Sequence, residues 1–216
     1  LEIVKGIIDF ILHIDKHLVT ITSQYQGWTY LIIFLIIFAE TGFVVTPFLP
    51  GDSLLFATAA LIATGNSGLN IFTMGLILIA AAFLGNTVNY LIGGYLGPKV
   101  FKEKNKILKL EYYLNTKAFF DKHGGKAVIL SRFMPIIRTV APFVAGVGKM
   151  PIGRYSLYNI IGGAAWIIAF LFAGYELGTV PFFKNHFSLV GLIIILISVV
   201  PIIWGLVRSK EDRKTT

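Results

Sequence analysis

The stretch FLPGDSLLFATAAL, Phe48–Leu61, decides how this chain folds, because Pro47, Pro50, Gly51 and Asp52 stand at the head of an otherwise apolar run. Two helix breakers and a carboxylate interrupt a place where a membrane helix would run on. The helix that can form after Asp52, Ser53–Ala63, would be about 16 Å long at ~1.5 Å per residue. That is roughly half of a ~30 Å hydrocarbon core. The stretch therefore predicts an arm that enters the bilayer and stops.

Composition supplies the bilayer. Of 216 residues, 56% are hydrophobic and 14% charged, against ~25% charged in a typical soluble domain. Mean hydropathy is +0.77, and the chain reads as one all-α integral membrane domain. Gly27–Ala39, Ile71–Gly85, Asn159–Tyr175 and Phe187–Val207 are apolar runs on the scale of a crossing, about four spans in all. Residues 1–22 place Ile3, Ile7, Phe10, Ile11, Ile14 and Leu18 at helical spacing and predict an amphipathic helix lying in the interface. The chain has no cysteine, which excludes disulfides and thiolate chemistry. Its four histidines are scattered, so neither a metal nor a cofactor is expected.

Lysine and arginine set the orientation. Pro98–Lys126 carries eight lysines, and the tail over 208–216 has four basic residues, so both are expected in the cytoplasm. The connections Thr64–Asn70 and Thr179–His186 hold only Lys184 and are expected outside. Both termini then lie in the cytoplasm, and the formal charge of +8 is a topology signal that calls for no nucleic acid. With these sides fixed, residues 43–63 cannot add a crossing without reversing everything after them. They form a re-entrant hairpin shaped by Pro47, Pro50 and Gly51. Residues 127–148, flanked by Lys126 and Lys149, form a second hairpin of opposite orientation, broken near its middle by Pro135 and Pro142. Paired broken segments of this kind point to a transport site near the midplane.

Three charges fall in those segments, Asp52, Arg132 and Arg138, and a fourth, Glu40, ends the apolar run just before the first of them. Each costs about 2.5–3.5 kcal/mol near a helix centre, and pairing acids with arginines offsets much of that cost. Asp52 either caps the following helix or belongs to a charged site. Arg132 either snorkels to the inner surface or joins that site. Glu40 is either a structural partner of Arg138 or a working group. Arg138, bracketed by prolines, has the planar fork that suits a phosphate. Asn86 and Asn89 read as interhelical glue beside the small residues Gly85, Gly93, Gly94 and Gly97.

These residues carry a resemblance. Over Trp28–Gly178 the chain resembles the bacterial DedA family of VTT-domain membrane proteins, through AETGFVVTPFLPGDSLL, GNTVNYLIGGYLG and SRFMPIIRTVAPFVAGVGKMPIGRYSLYNIIGGAAW. The resemblance implies paired re-entrant hairpins, lipid translocation across the bacterial cytoplasmic membrane, and functional acids and arginines at Glu40, Asp52, Arg132 and Arg138. It implies undecaprenyl phosphate as the lipid in some members and phosphatidylethanolamine in others. Many relatives have an acid where Asn86 stands, a glycine at Asn89 and an arginine at Gly94, so an ionic role at Asn86 is lost here.

The expected function is a non-enzymatic transporter that returns undecaprenyl phosphate to the cytoplasmic leaflet. Arg132 and Arg138 bind the phosphate, while Glu40 and Asp52 pair with them or exchange protons. Membrane lipids are the expected partners, and the glycine-spaced faces permit a homodimer. The alternatives are a phospholipid scramblase, a proton-coupled exporter of small cations, or a prenyl-diphosphate phosphatase. The last lacks the arginine expected where Leu54 follows Ser53.

Overall fold

The computed structural model describes residues 27–43, 51–65, 67–100 and 110–180, and every regular element among them is helical. In chain order these are α1 (Trp28–Gly42), α2 (Gly51–Ala63), α3 (Ile71–Leu96), α4 (Leu110–His123), α5 (Ala127–Leu130), α6 (Pro135–Val147) and α7 (Ile152–Thr179). Short 3-10 turns occupy Pro98–Val100, Gly124–Lys126 and Ser131–Phe133. The expected interfacial helix at 1–22, Pro47 and Pro50, the run at 187–207 and the basic tail at 208–216 lie outside the described residues.

Length sorts the helices. α3 and α7, with 26 and 28 residues, are long and apolar enough to cross a membrane. α1, expected to be a span, has 15 residues, about 22 Å at ~1.5 Å per residue and short of a ~30 Å core. α2 begins at Gly51, two residues before the expected start, and its 13 residues reach about 20 Å. Asp52 therefore lies inside the first turn of α2, where a carboxylate faces the positive end of the helix dipole.

The stretch 127–148 breaks once. Met134 is extended, with φ −120° and ψ 104°, and Pro135 opens α6 as its first residue. Both follow from proline chemistry: its ring disfavours helical backbone in the residue before it, and its fixed φ suits a helix start. Pro142 differs from expectation, because α6 runs through it without stopping. It has no N–H to give to the Arg138 carbonyl one turn back, yet neighbours on both sides hold the helix: Ala141, Phe143 and Val144 are all buried.

The described residues fall into two compact units. In the unit holding 51–65, 67–71 and 170–180, α2 is buried along nearly its whole length. The end of α7 reaches it through glycines: a Cβ on Gly178 would lie 2.6 Å from the Ala60 Cα.

In the unit holding 30–43, 72–100 and 110–169, helical periodicity decides what is inside. Ile33, Ile37, Glu40 and Thr41 form the buried stripe of α1, and Met74, Leu78, Ala82, Asn86, Asn89 and Gly93 that of α3. α3 meets its neighbours backbone to backbone. A Cβ on Gly85 would lie 2.7 Å from the Phe38 carbonyl oxygen, and one on Gly93 would lie 2.8 Å from the Phe143 Cα. Opposite, a Cβ on Gly146 would lie 2.8 Å from the Gly94 nitrogen. Small residues permit the approach on which packing depends in a bilayer, where no hydrophobic drive pushes helices together. α4, the polar helix, lays Tyr112, Tyr113 and Phe120 against Val140, Phe143 and Val144 of α6.

Candidate functional site

Three of the four charges singled out in the sequence meet in the second unit. Glu40 comes from the last turn of α1 and Arg138 from the first turn of α6, and the Arg138 Nη2 donates to the Glu40 Oε1 at 2.8 Å. The carboxylate side is 2% exposed and the arginine side chain 11%, so the arginine is the more exposed member of the pair. The break at Met134 makes this possible, because it lets α6 start afresh with Arg138 in its first turn. The Arg138 N–H then bonds back to the Met134 carbonyl at 2.7 Å.

Arg132 sits on the 3-10 turn before the break and is 2% exposed. It does not snorkel to a surface. Its Nη2 donates to the Asn159 Oδ1 at 2.6 Å, with the Ala82 carbonyl at 3.5 Å. The hydrogen-bond network turns the Asn86 amide so that its oxygen accepts from the Arg132 Nη2 at 2.7 Å and Nη1 at 3.2 Å, while its nitrogen donates to the Thr41 carbonyl at 3.1 Å. These hydrogen-bonded partners are neutral oxygens. Gly162 and Gly163 make room for the side chain, since a Cβ on either would come within 3.3 Å of an Arg132 atom.

The two guanidiniums share one aromatic ring. Trp166 of α7 is 1% exposed, and the Cζ of Arg138 lies 5.0 Å and that of Arg132 6.0 Å from its centroid. Both distances fall within the ~6 Å reach of a cation–π contact. Among the described residues, these two arginines and one carboxylate give the cluster an excess of one positive charge, held among apolar helices.

A second layer fixes this geometry. Asn159 Nδ2 donates to the Phe83 carbonyl at 3.1 Å and to the Thr87 Oγ1 at 3.4 Å, which sets the direction of its oxygen. Tyr155 donates to the Asn86 backbone carbonyl at 2.8 Å and stacks on Tyr90 at 4.3 Å between centroids. Tyr90 in turn donates to the Met150 carbonyl. Asn89 ties three helices, donating to the carbonyls of Thr41 at 3.3 Å and Thr139 at 3.0 Å. Asn89 therefore is interhelical glue, and Asn86 is glue and a ligand of Arg132 at once.

Asp52 belongs to the other unit, where it is 9% exposed in the first turn of α2. Gly51 opens that helix and Pro135 opens α6, whereas Pro142 lies within a helix. Sequence reading missed Asn159, Trp166 and Tyr155 as parts of the site. Asn159 left a signal: an amide within NIIGGAAWIIAFLFAGY is costly in a bilayer unless something answers it. Among the described residues, no group of three or more His, Cys, Asp or Glu side chains could hold a metal.

Fold and site define an all-helical membrane protein that keeps an ion pair and a second arginine buried around one tryptophan. The chain belongs to the DedA family: residues 49–176 match the VTT domain. It is 46% identical to Protein DedA of Escherichia coli (strain K12) over 212 residues, 98% of this chain and 97% of that one. It is 38% identical over 183 residues to the uncharacterized membrane protein Rv0364 of Mycobacterium tuberculosis (strain H37Rv), covering 84% of this chain and 80% of the other. With the inner membrane protein YqjA of E. coli K12 it shares 33% identity over 184 residues, 85% and 83% of the two chains. No solved structure matches the chain.

Proposed function

We propose that the protein carries a phosphate-bearing lipid across the bacterial cytoplasmic membrane, with undecaprenyl phosphate as the substrate and return to the cytoplasmic leaflet as the direction. The observation that carries this reading is the Arg138–Glu40 pair at 2.8 Å beside Trp166, with the buried Arg132 on the same ring. The excess positive charge favours an anion. Arg138, the more exposed arginine at the N-terminal turn of α6, takes the phosphate by its planar fork, helped by the helix dipole. Glu40 competes with phosphate for that fork and so sets how readily the lipid leaves. Arg132, held by Asn86 and Asn159, supplies a fixed field and contributes charge without direct contact. Glu40 and Asp52 are the two acids available to exchange protons with the two sides of the membrane.

In this reading the short elements are re-entrant. α2 at 13 residues and α6 at 13 residues each reach about 20 Å, and two hairpins of opposite orientation would let the headgroup cross while the prenyl tail stays in lipid. The lysine-rich segment from Lys99 onward and both termini lie in the cytoplasm. The protein acts as a transporter and performs no covalent chemistry.

The test is leaflet exchange of undecaprenyl phosphate in liposomes holding the purified full chain, beside phosphatidylethanolamine and Arg138→Ala. Exchange selective for the prenyl phosphate and lost in the variant is the expected result. Equal exchange of both lipids would assign a general scramblase instead, and exchange unchanged in Arg138→Ala would remove the phosphate role of that residue.

A further inference from the structure

α4 is the most polar of the helices, with Glu111, Lys117, Asp121 and Lys122 along its length. Its aromatic face packs on α6. Laying a half-polar helix across the end of α6 leaves a cavity of about 380 Å³ that reaches Gly125, Met150 and the start of α7. That volume lies within the ~300–1,000 Å³ of pockets that hold small ligands. The charged lining is exposed: Lys117, Arg154 and Asp121 stand at the edge. The apolar lining is covered, since Val144 is buried and Phe120 and Met150 are half-buried. Two cations against one acid give the rim an excess positive charge, and the wall behind it is apolar.

Position adds a second constraint. Arg154 lies in the first turn of α7, a helix long enough to cross the membrane, so the cavity opens where such a helix ends and headgroups lie. Helix N-termini favour anions. We infer that this cavity is a binding site for a phosphate monoester with an apolar attachment, using Lys117 and Arg154 for the phosphate and Phe120, Val144 and Met150 for the first carbons of the chain. It shares no residue with the Glu40, Arg132 and Arg138 cluster and stands whether or not that cluster transports lipid. The phosphate could be that of a lipid headgroup or of a free anion, and the two sources differ in their use of the apolar wall.

The experiment places a reporter on the wall by Tyr113→Trp in the full chain, reconstituted in neutral vesicles, and adds phosphatidic acid with brominated acyl chains as the quencher. The unsubstituted chain gives the background from its own tryptophans. Saturable quenching is expected, tighter for phosphatidic acid than for brominated phosphatidylcholine, and weakened about thirtyfold in Lys117→Gln/Arg154→Gln. The charge-conserving variant Lys117→Arg/Arg154→Lys keeps binding, which separates lost charge from lost fold. Failure of millimolar inorganic phosphate to displace the lipid assigns the site to an amphiphile, and displacement assigns it to phosphate as such. Equal quenching by the two lipids, or quenching unchanged when both cations are removed, overturns the inference.

Discussion

Breaking the Arg138–Glu40 pair from each side should cost different amounts. Nη2 and Oε1 are 2.8 Å apart, and charge centres about 4 Å apart attract by about 4 kcal/mol at an effective dielectric of ~20. Arg138→Ala withdraws a guanidinium from a carboxylate that is 2% exposed; removing one partner of a buried pair costs about 3–5 kcal/mol. Glu40→Ala leaves a guanidinium that is 11% exposed and rests 5.0 Å from the Trp166 centroid, so its cost should be the smaller, about 2 kcal/mol. At ~2–4 °C per kcal/mol for a chain of this size, Arg138→Ala should lower Tm by about 6–20 °C and Glu40→Ala by about 4–8 °C. The double variant should be no worse than Arg138→Ala alone, with a coupling energy of about 2 kcal/mol or more. Thermal unfolding of the purified protein, followed by tryptophan fluorescence, reads all three. Effects that add to within ~0.5 kcal/mol would refute the pairing, and a costlier Glu40→Ala would refute the assignment of the buried side.

Asn159→Leu removes the oxygen 2.6 Å from Arg132 and should cost about 2 kcal/mol. Asn159→Asp keeps an acceptor there but neutralises the cluster, so it should hold Tm while slowing exchange of an anionic lipid. Gly146→Ala drives a methyl into the α3 backbone and should cost about 1–3 kcal/mol. By contrast, Gly153→Ala, with nothing within 4 Å, should leave Tm unchanged or raise it by a helix-propensity gain of about 0.5–1 kcal/mol. Tyr155→Phe loses the 2.8 Å bond to the Asn86 carbonyl but keeps the stack on Tyr90, a loss of about 1 kcal/mol. Because the chain has no cysteine, a single cysteine at Asn115, exposed on α4, should react with an impermeant maleimide only from the cytoplasmic side; labelling from outside would invert the proposed topology.

The sequence by itself determined the solvent, the helical class and which charges a bilayer makes costly. Those follow from local or summed quantities: mean hydropathy, the length of apolar runs, the fixed dihedral of Pro135 and the cost of Glu40, Arg132 and Arg138 in a bilayer. Local rules also misplaced some features. Asp52 was expected ahead of its helix and lies inside its first turn. Pro142 was expected to break a helix that its buried neighbours carry through. Only the tertiary structure decided which acid meets which arginine. Glu40 and Arg138 are 98 positions apart, and no periodicity or propensity acts over that distance. The same holds for the neutral oxygens around Arg132. Asn86, Asn159 and Ala82 converge because Gly85, Gly93, Gly146, Gly162 and Gly163 let backbones and side chains approach, and that convergence depends on how several helix surfaces fit together at once. A charge that the sequence could only mark as expensive thereby became either partly exposed, as at Arg138, or sealed, as at Arg132.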